Sequence, residues 1–328
     1  MFDLVFLGTA AAVPSADRSS PSSLVISGPE RFLIDCGEGT QRQLMRVRLG
    51  FRGLGHVLLT HLHLDHVAGL AGLLATRQLY QLDDPINIIG SAETIGFVAH
   101  YLSATIGSEQ QAHYRLLVVP PGPVLCRPGW RLIAFAVAHR GTESLGYVFE
   151  AAARRPLVAE RLDALGVPHG PERAALARGE PVMLSDGRRI LPEMVQGPSV
   201  AGAKLAIIGD AEETDSLVEP VRRADSMVIE STFLERDLEL ARARGHLTAA
   251  AAAGLAREAE VGELLLTHIS GRYKPAEILA EATAVFPSAR VVADFDRVSV
   301  GPRSDHRASG PHPNPPPHAG EGREGVSS

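Results

Sequence analysis

Between Thr60 and His66 the chain reads THLHLDH, which places four side chains able to bind a metal, His61, His63, Asp65 and His66, within six residues. Imidazole nitrogen and carboxylate oxygen together suit zinc or another first-row divalent cation. In an extended chain His61 and His63 fall on the same side. Asp65 and His66 then stand at the turn into a helix, able to point at a second cation a few ångströms away. Two cations about 3.5–4 Å apart form a common clamp for phosphoester hydrolysis. One histidine here would be a surface residue; four ligands directly after an apolar run point to a metal-binding turn.

Such a turn needs a scaffold. The apolar run 56–60 predicts a strand ending in the histidine cluster, and 2–7, 24–27, 32–36, 86–90, 132–138 and 145–150 read as further strands. Helices are expected over 38–49 and 67–82. In the second half, strands are expected at 204–209, 226–230, 263–267 and 290–295, with helices near 214–223, 247–260 and 275–285. Several strands end in or run into a polar residue: Thr60, His139, Asp210, Glu230 and His268. Residues at strand ends project from a sheet rim, where several strands can converge on one site. Strands in hairpin-like runs and strands alternating with helices both occur, so the expected class is a layered α/β protein with mixed sheets.

Two segments depart from this rhythm. Residues 154–195 are rich in Gly, Pro and Arg and lack a long apolar strand, which predicts an excursion from the core. Within 154–189 seven arginines face five carboxylates, in a chain whose net charge is −6. Residues 303–328 are dominated by Pro, Gly, His and charge and are expected to be disordered. Of the 328 residues only Cys36 and Cys126 are cysteines, too few for a disulfide framework or a cysteine-built zinc site. No run approaches the length of a membrane span, and the N-terminus lacks a secretory pattern, so a cytoplasmic protein is expected. An acidic chain that meets nucleic acid must do so through a local patch or through bound metal.

The segment HLHLDH resembles the motif of the metallo-β-lactamase fold. That likeness implies three further ligands at strand ends, and His139 in FAVAH, Asp210 in LAIIGD and His268 in LLLTH stand in order for the role. Within that fold the chain most resembles the ribonuclease Z family over about residues 1–300. FLGTAAAVPS, IDCGEGTQRQL, ESTF (230–233), GHLTAAAAA (245–253) and LTHISGRY (266–273) are similar to its blocks. LGVPHGPERAALARGEPV (165–182) resembles the arm with which the family grips the elbow of tRNA. The chain departs from the family pattern at Ala10, across ADRSSPSS (16–23), and at Ala211-Glu212-Glu213, where relatives often carry Thr-Arg.

The resemblance implies a four-layer αββα sandwich with an inserted extended arm: a catalytic domain over 1–302, the arm within it at 154–195, and the tail 303–328. It implies two Zn2+ per subunit, although Mn2+ or Co2+ would be accepted by the same ligands. His61, His63 and His139 would hold one cation, Asp65, His66 and His268 the other, with Asp210 bridging. The expected reaction removes the 3′ trailer from precursor tRNA, leaving a 3′-hydroxyl on the tRNA and a 5′-phosphate on the trailer. Asp65 would act as general base, His246 would protonate the leaving oxygen, and Glu230 would fix the tautomer of His246. Arg161, Arg173 and Arg178 are the expected RNA contacts on the arm, which in the family serves the partner's active site in a homodimer. The rival readings are another phosphodiester or thioester hydrolase of the same fold, a non-catalytic RNA-binding relative, and a di-iron redox site dependent on a flavin partner.

Overall fold

Period-two apolar alternation runs through the strands and decides the layering. In β1 (Phe2–Gly8), Phe2, Leu4 and Phe6 enter one core while Val5 and Leu7 enter another. The same split occurs in β2 (Ser22–Ser27), β3 (Glu30–Ile34), β4 (Leu54–Leu58) and β5 (Ile86–Gly90). The computed structural model describes residues 1–82, 84–106 and 113–303. The histidines at 306, 312 and 318 and nearly all of the expected tail lie outside that range.

Two seven-stranded sheets make up the centre. The first is completed by β6 (Tyr114–Val118) and the C-terminal β16 (Arg297–Val300), in the order β16-β1-β2-β3-β4-β5-β6. The second contains β7 (Gly122–Arg127), β8 (Trp130–His139), β9 (Thr142–Ala151), β12 (Lys204–Ile207), β13 (Ser226–Glu230), β14 (Glu263–Thr267) and β15 (Ala289–Val291). Its order is β15-β14-β13-β12-β9-β8-β7. In each sheet one half pairs antiparallel and the other parallel. One core lies between the sheets, with Phe2, Phe6, Phe32, Tyr147, Phe149 and Leu265 in it.

Helices cover both outer faces. Over the first sheet lie α1 (Thr40–Arg46), α2 (Leu64–Val67), α3 (Leu70–Leu79) and α4 (Ala92–Ile106). Over the second lie α8 (Val218–Val221), α9 (Leu238–Arg244), α10 (Ala249–Glu258) and α11 (Pro275–Val285). The result is the four-layer αββα arrangement. The strand expected at 56–60 lies two residues earlier, and the run 290–295 divides into β15 and a turn before β16. Helices α4 and α9 and strands β6, β7 and β16 add to the expected elements.

Between β9 and β12 the chain leaves the sandwich and folds on itself. The excursion contains α5 (Ala159–Ala164), α6 (Pro171–Ala177), the two-stranded β10 (Val182–Met183) and β11 (Arg189–Ile190), and α7 (Pro192–Val195). It has a small core of its own: Leu162, Val167, Leu176, Leu184, Ile190 and Val195. Val158 N donates to Val195 O at 2.8 Å, which closes its base. Among the described residues no helix is long and apolar enough to cross a membrane.

Candidate metal centre

The strand directions bring the polar ends together. Strands β8, β12, β13 and β14 all point the same way, because β8 and β12 each run antiparallel to β9 while β13 and β14 run parallel to β12. Their C-terminal ends therefore share one rim, and carry His139, Asp210, Glu230 and His268 there. The first sheet contributes the turn after β4. Leu145 N donates to Thr60 O at 2.8 Å, fastening that turn to the second sheet. The approach is so close that a side chain at Gly209 would place its Cβ 2.7 Å from Thr60 Oγ1. Cys36 N donates to His66 O at 2.7 Å and Gly69 N to Cys36 O at 2.8 Å, holding α2 against the loop after β3.

All seven expected ligands converge in two groups. In the first, His63 Nδ1 lies 2.9 Å from His61 Nε2 and 3.3 Å from His139 Nε2, and Asp210 Oδ2 lies 3.8 Å from both Nε2 atoms. In the second, Asp65 Oδ2 lies 3.6 Å from His66 Nε2 and 3.5 Å from His268 Nε2. Asp210 Oδ1 completes it at 3.5 and 3.4 Å from the same two nitrogens. Asp210 thus turns one oxygen to each group. His61, His66, His139, Asp210 and His268 are buried.

The hydrogen-bond network assigns the tautomers. His61 Nδ1–H donates to Thr60 Oγ1 at 3.0 Å, and that hydroxyl donates to Asp35. His66 Nδ1–H donates to Asp35 Oδ2 at 2.7 Å. His139 Nδ1–H donates to Gly245 O at 2.8 Å. His268 Nδ1–H donates to Thr232 Oγ1 at 2.9 Å, whose hydroxyl donates in turn to Glu230. Every one of these rings therefore presents a bare Nε2 lone pair to the centre. Among the described residues His66 Nε2, His268 Nε2 and Asp210 Oδ1 are buried and have no hydrogen-bond partner. Buried polar atoms left unpaired are costly. Lone pairs aimed at common points are what divalent cations require, so this donor set fits two of them.

The electrostatics agree. Burial alone would raise the Asp210 carboxyl, but His268, His66, His61 and His246 hold it well below its usual range. Burial opposes protonation of His66 too, yet Asp210 and Asp35 push it up to about 10. The backbone is also forced: Asp35, Arg140 and His268 have φ of 58°, 48° and 55°, the strained left-handed region that gathers at functional sites.

Beside the two groups stands His246, between α9 and α10. Its ring centre is 5.3 Å from that of His139 and 5.5 Å from that of His268. Its Nδ1 donates to Glu230 Oε1 at 2.9 Å, and Ala211 N donates to the same oxygen at 2.8 Å. Glu230 is fully buried. The pair expected from sequence is in contact. Thr248 caps α10, accepting from Ala251 N at 3.1 Å.

Asp35, Thr232 and the Gly245 carbonyl orient the expected ligands without having been singled out, and Thr60, named as a polar strand end, holds His61 in the same way. Two signals existed, Asp35 just after strand β3 and Thr232 just after β13. The arm arginines lie away from this centre. Arg173 is bound to Val167 O at 2.9 Å and Asp163 at 2.6 Å; Arg178 pairs with Glu180 and Arg161 donates to Gln196 O. All three are thus engaged within the arm or at its base.

A family model described as anti-Pycsar protein Apyc1 matches residues 2–118. Ribonuclease Z of Bradyrhizobium diazoefficiens is 50% identical over 301 residues, covering 92% of this chain and all of the relative. Ribonuclease Z of Archaeoglobus fulgidus is 38% identical over 305 residues, covering 92% and 98%. Among solved structures, the short form of human tRNase Z superposes with a TM-score of 0.63 at 24% identity, covering 91% of this chain and 99% of that one. The metallo-β-lactamase fold protein YhfI from Bacillus subtilis gives 0.65 at 18%, covering 90% and 98%. The two structures establish a metallo-β-lactamase fold; the full-length identity goes further, and the chain belongs to the ribonuclease Z family of metal-dependent endoribonucleases.

Proposed function

We propose that this protein cuts precursor tRNA at the start of its 3′ trailer, leaving a 3′-hydroxyl on the tRNA and a 5′-phosphate on the trailer, with two Zn2+ per subunit. The observation that carries the reading is the pair of ligand groups sharing the two oxygens of Asp210. His61, His63 and His139 would hold one cation, Asp65, His66 and His268 the other. Bound there, two divalent cations supply an acidified water and neutralise charge on the phosphoryl oxygens.

The chain's own groups handle the protons. Although burial disfavours its charged form, Asp65 is held below the usual carboxylate range by His268 and His66, so it is ionised at neutral pH and ready to accept the proton of the attacking water. His246 supplies the opposite service. Burial would lower its pKa, but Glu230 raises it to about 9, so the imidazolium persists at neutral pH. Nδ1 is committed to Glu230, which leaves the Nε2 proton for the departing 3′-oxygen.

In this reading the arm supplies the grip that an acidic protein lacks elsewhere, contacting backbone phosphate by shape. Arg178, with 60% of its side chain exposed, and Arg161 present cations at its surface, while Arg173 also braces the arm from within. A homodimer in the cytoplasm, with each arm serving the partner's centre, completes the proposal.

The test is incubation with a 3′-extended precursor tRNA, with and without a chelator, followed by mapping of both ends. Cleavage after the last retained nucleotide, abolished by chelator and restored by Zn2+, is expected. Cleavage elsewhere in the RNA, or turnover indifferent to chelator, overturns the proposal.

A further inference from the structure

His268 carries its imidazole on a strained residue immediately beyond β14, and its position depends on what pins the next peptide. Ile269 N donates to Thr9 O at 2.8 Å, and Ala11 N donates to Ile269 O at 3.1 Å. The end of β1 therefore clamps the residue after His268 from both sides. Thr9 is itself fully buried, and its hydroxyl is a relay. It donates to Asp294 Oδ1 at 2.7 Å and accepts from Arg18 Nη1 at 2.6 Å.

Asp294 is the hub. Its second oxygen accepts from Ser19 N at 2.8 Å and from Gln43 Nε2 at 3.0 Å. Gln43 is buried and also donates to Leu7 O at 2.6 Å. Arg18 donates to Val292 O at 2.7 Å, and Val292 N donates to Leu266 O at 3.0 Å within the strand leading to His268. One carboxylate so ties together the end of β1, the loop at 10–20, helix α1, and the turn before β16. Of these, the residues after β1 reach the peptide beyond His268 directly, and Arg18 reaches the strand leading to His268 through Val292. A partly buried network whose members are hydrogen-bonded to one another rigidifies what it holds.

We propose that Asp294, acting through the Thr9 hydroxyl, is a positioning residue for the ligand His268. The inference rests on His268 holding one of two cations. Its content is that a side chain in the C-terminal turn sets the affinity of one cation and leaves the other alone.

The experiment titrates metal-free protein with Co2+, following visible absorption and competing with a chromophoric chelator, so that two affinities are resolved. Thr9→Val removes the hydroxyl and keeps the shape. It is expected to weaken one of the two Co2+ affinities about tenfold, the lower end of the range for groups that orient a ligand, with the other unchanged. Thr9→Ser restores the hydroxyl and is expected to restore the affinity. Asp294→Asn, with one acceptor oxygen lost, is expected to reproduce the selective loss, and it carries the test if Thr9→Val does not fold. Unchanged affinities in both variants, or equal loss at both sites, overturns the inference. Failure of the unsubstituted protein to take up two Co2+ overturns instead the two-cation reading beneath it.

Discussion

Glu230 does two jobs with one buried carboxylate: it accepts from His246 on one side and from Thr232, the partner of His268, on the other. The proposed proton donor and the proposed metal ligand are thereby oriented by the same group. The consequence is testable in the pH dependence of cleavage. The raised pKa of His246, about 9, means that its acid form is present below that pH and lost as pH rises through it. In Glu230→Gln the anionic partner is gone, so the alkaline limb of single-turnover cleavage should move down toward the ordinary histidine range. The variant should then lose more activity at pH 8 than at pH 6, with metal content measured alongside. Uniform loss at every pH would remove Glu230 from the proton path. His246→Ala should lower the rate by about 10²–10⁴-fold, the usual worth of a positioned acid, while both cations stay bound. Combining it with Glu230→Gln should cost less than the product of the two single losses, because both changes act on the same proton.

At the scale of elements, the strands around the site were legible because each is a short apolar run ending in a polar residue that alternation alone does not demand. LAIIGD and LLLTH show it. What stayed hidden has physical causes. Strands β6 and β7 lie at sheet edges with exposed residues such as Leu117 and Val118, so their apolar pattern does not report burial. Asp35 and Thr232 orient ligands distant in sequence, through contacts that only the closed sandwich creates. The arm was legible as an excursion, but its compactness was not. Isolated apolar residues spread over 162–195 meet only once α5, α6 and the β10–β11 pair have formed. Since its base is closed between Val158 and Val195, replacing 159–194 by a short Gly-Ser turn should leave the sandwich folded. Cleavage of a small phosphodiester should survive and precursor tRNA cleavage should be lost. Equal tRNA processing by the truncated protein would assign the arm no RNA role. Within the intact arm, Arg178→Ala should weaken tRNA binding and reduce the slope of log affinity against log salt by about one.

At the scale of the whole molecule, the proposed ligands come from both sheets: four from the turn after β4, and His139, Asp210 and His268 from the facing rim. Cations held there would join the two halves of the sandwich and would bind the folded chain alone, since no such cluster exists in an unfolded one. Metal must therefore stabilise the fold by mass action, each site contributing about 2.7 kcal/mol when free metal is a hundred times its Kd. Two sites give roughly 5 kcal/mol. At about 2 °C per kcal/mol for a chain of this size, the melting temperature should rise on the order of 10 °C between chelator and saturating Zn2+. The form of the response is as telling as its size. Tm should keep rising with the logarithm of metal concentration beyond the point where both sites are filled, because binding continues to compete with unfolding. In His268→Ala the rise should shrink to about half, one cation remaining on His61, His63 and His139. A melting temperature indifferent to Zn2+ would mean that the seven side chains do not join the sheets through metal, however closely they approach.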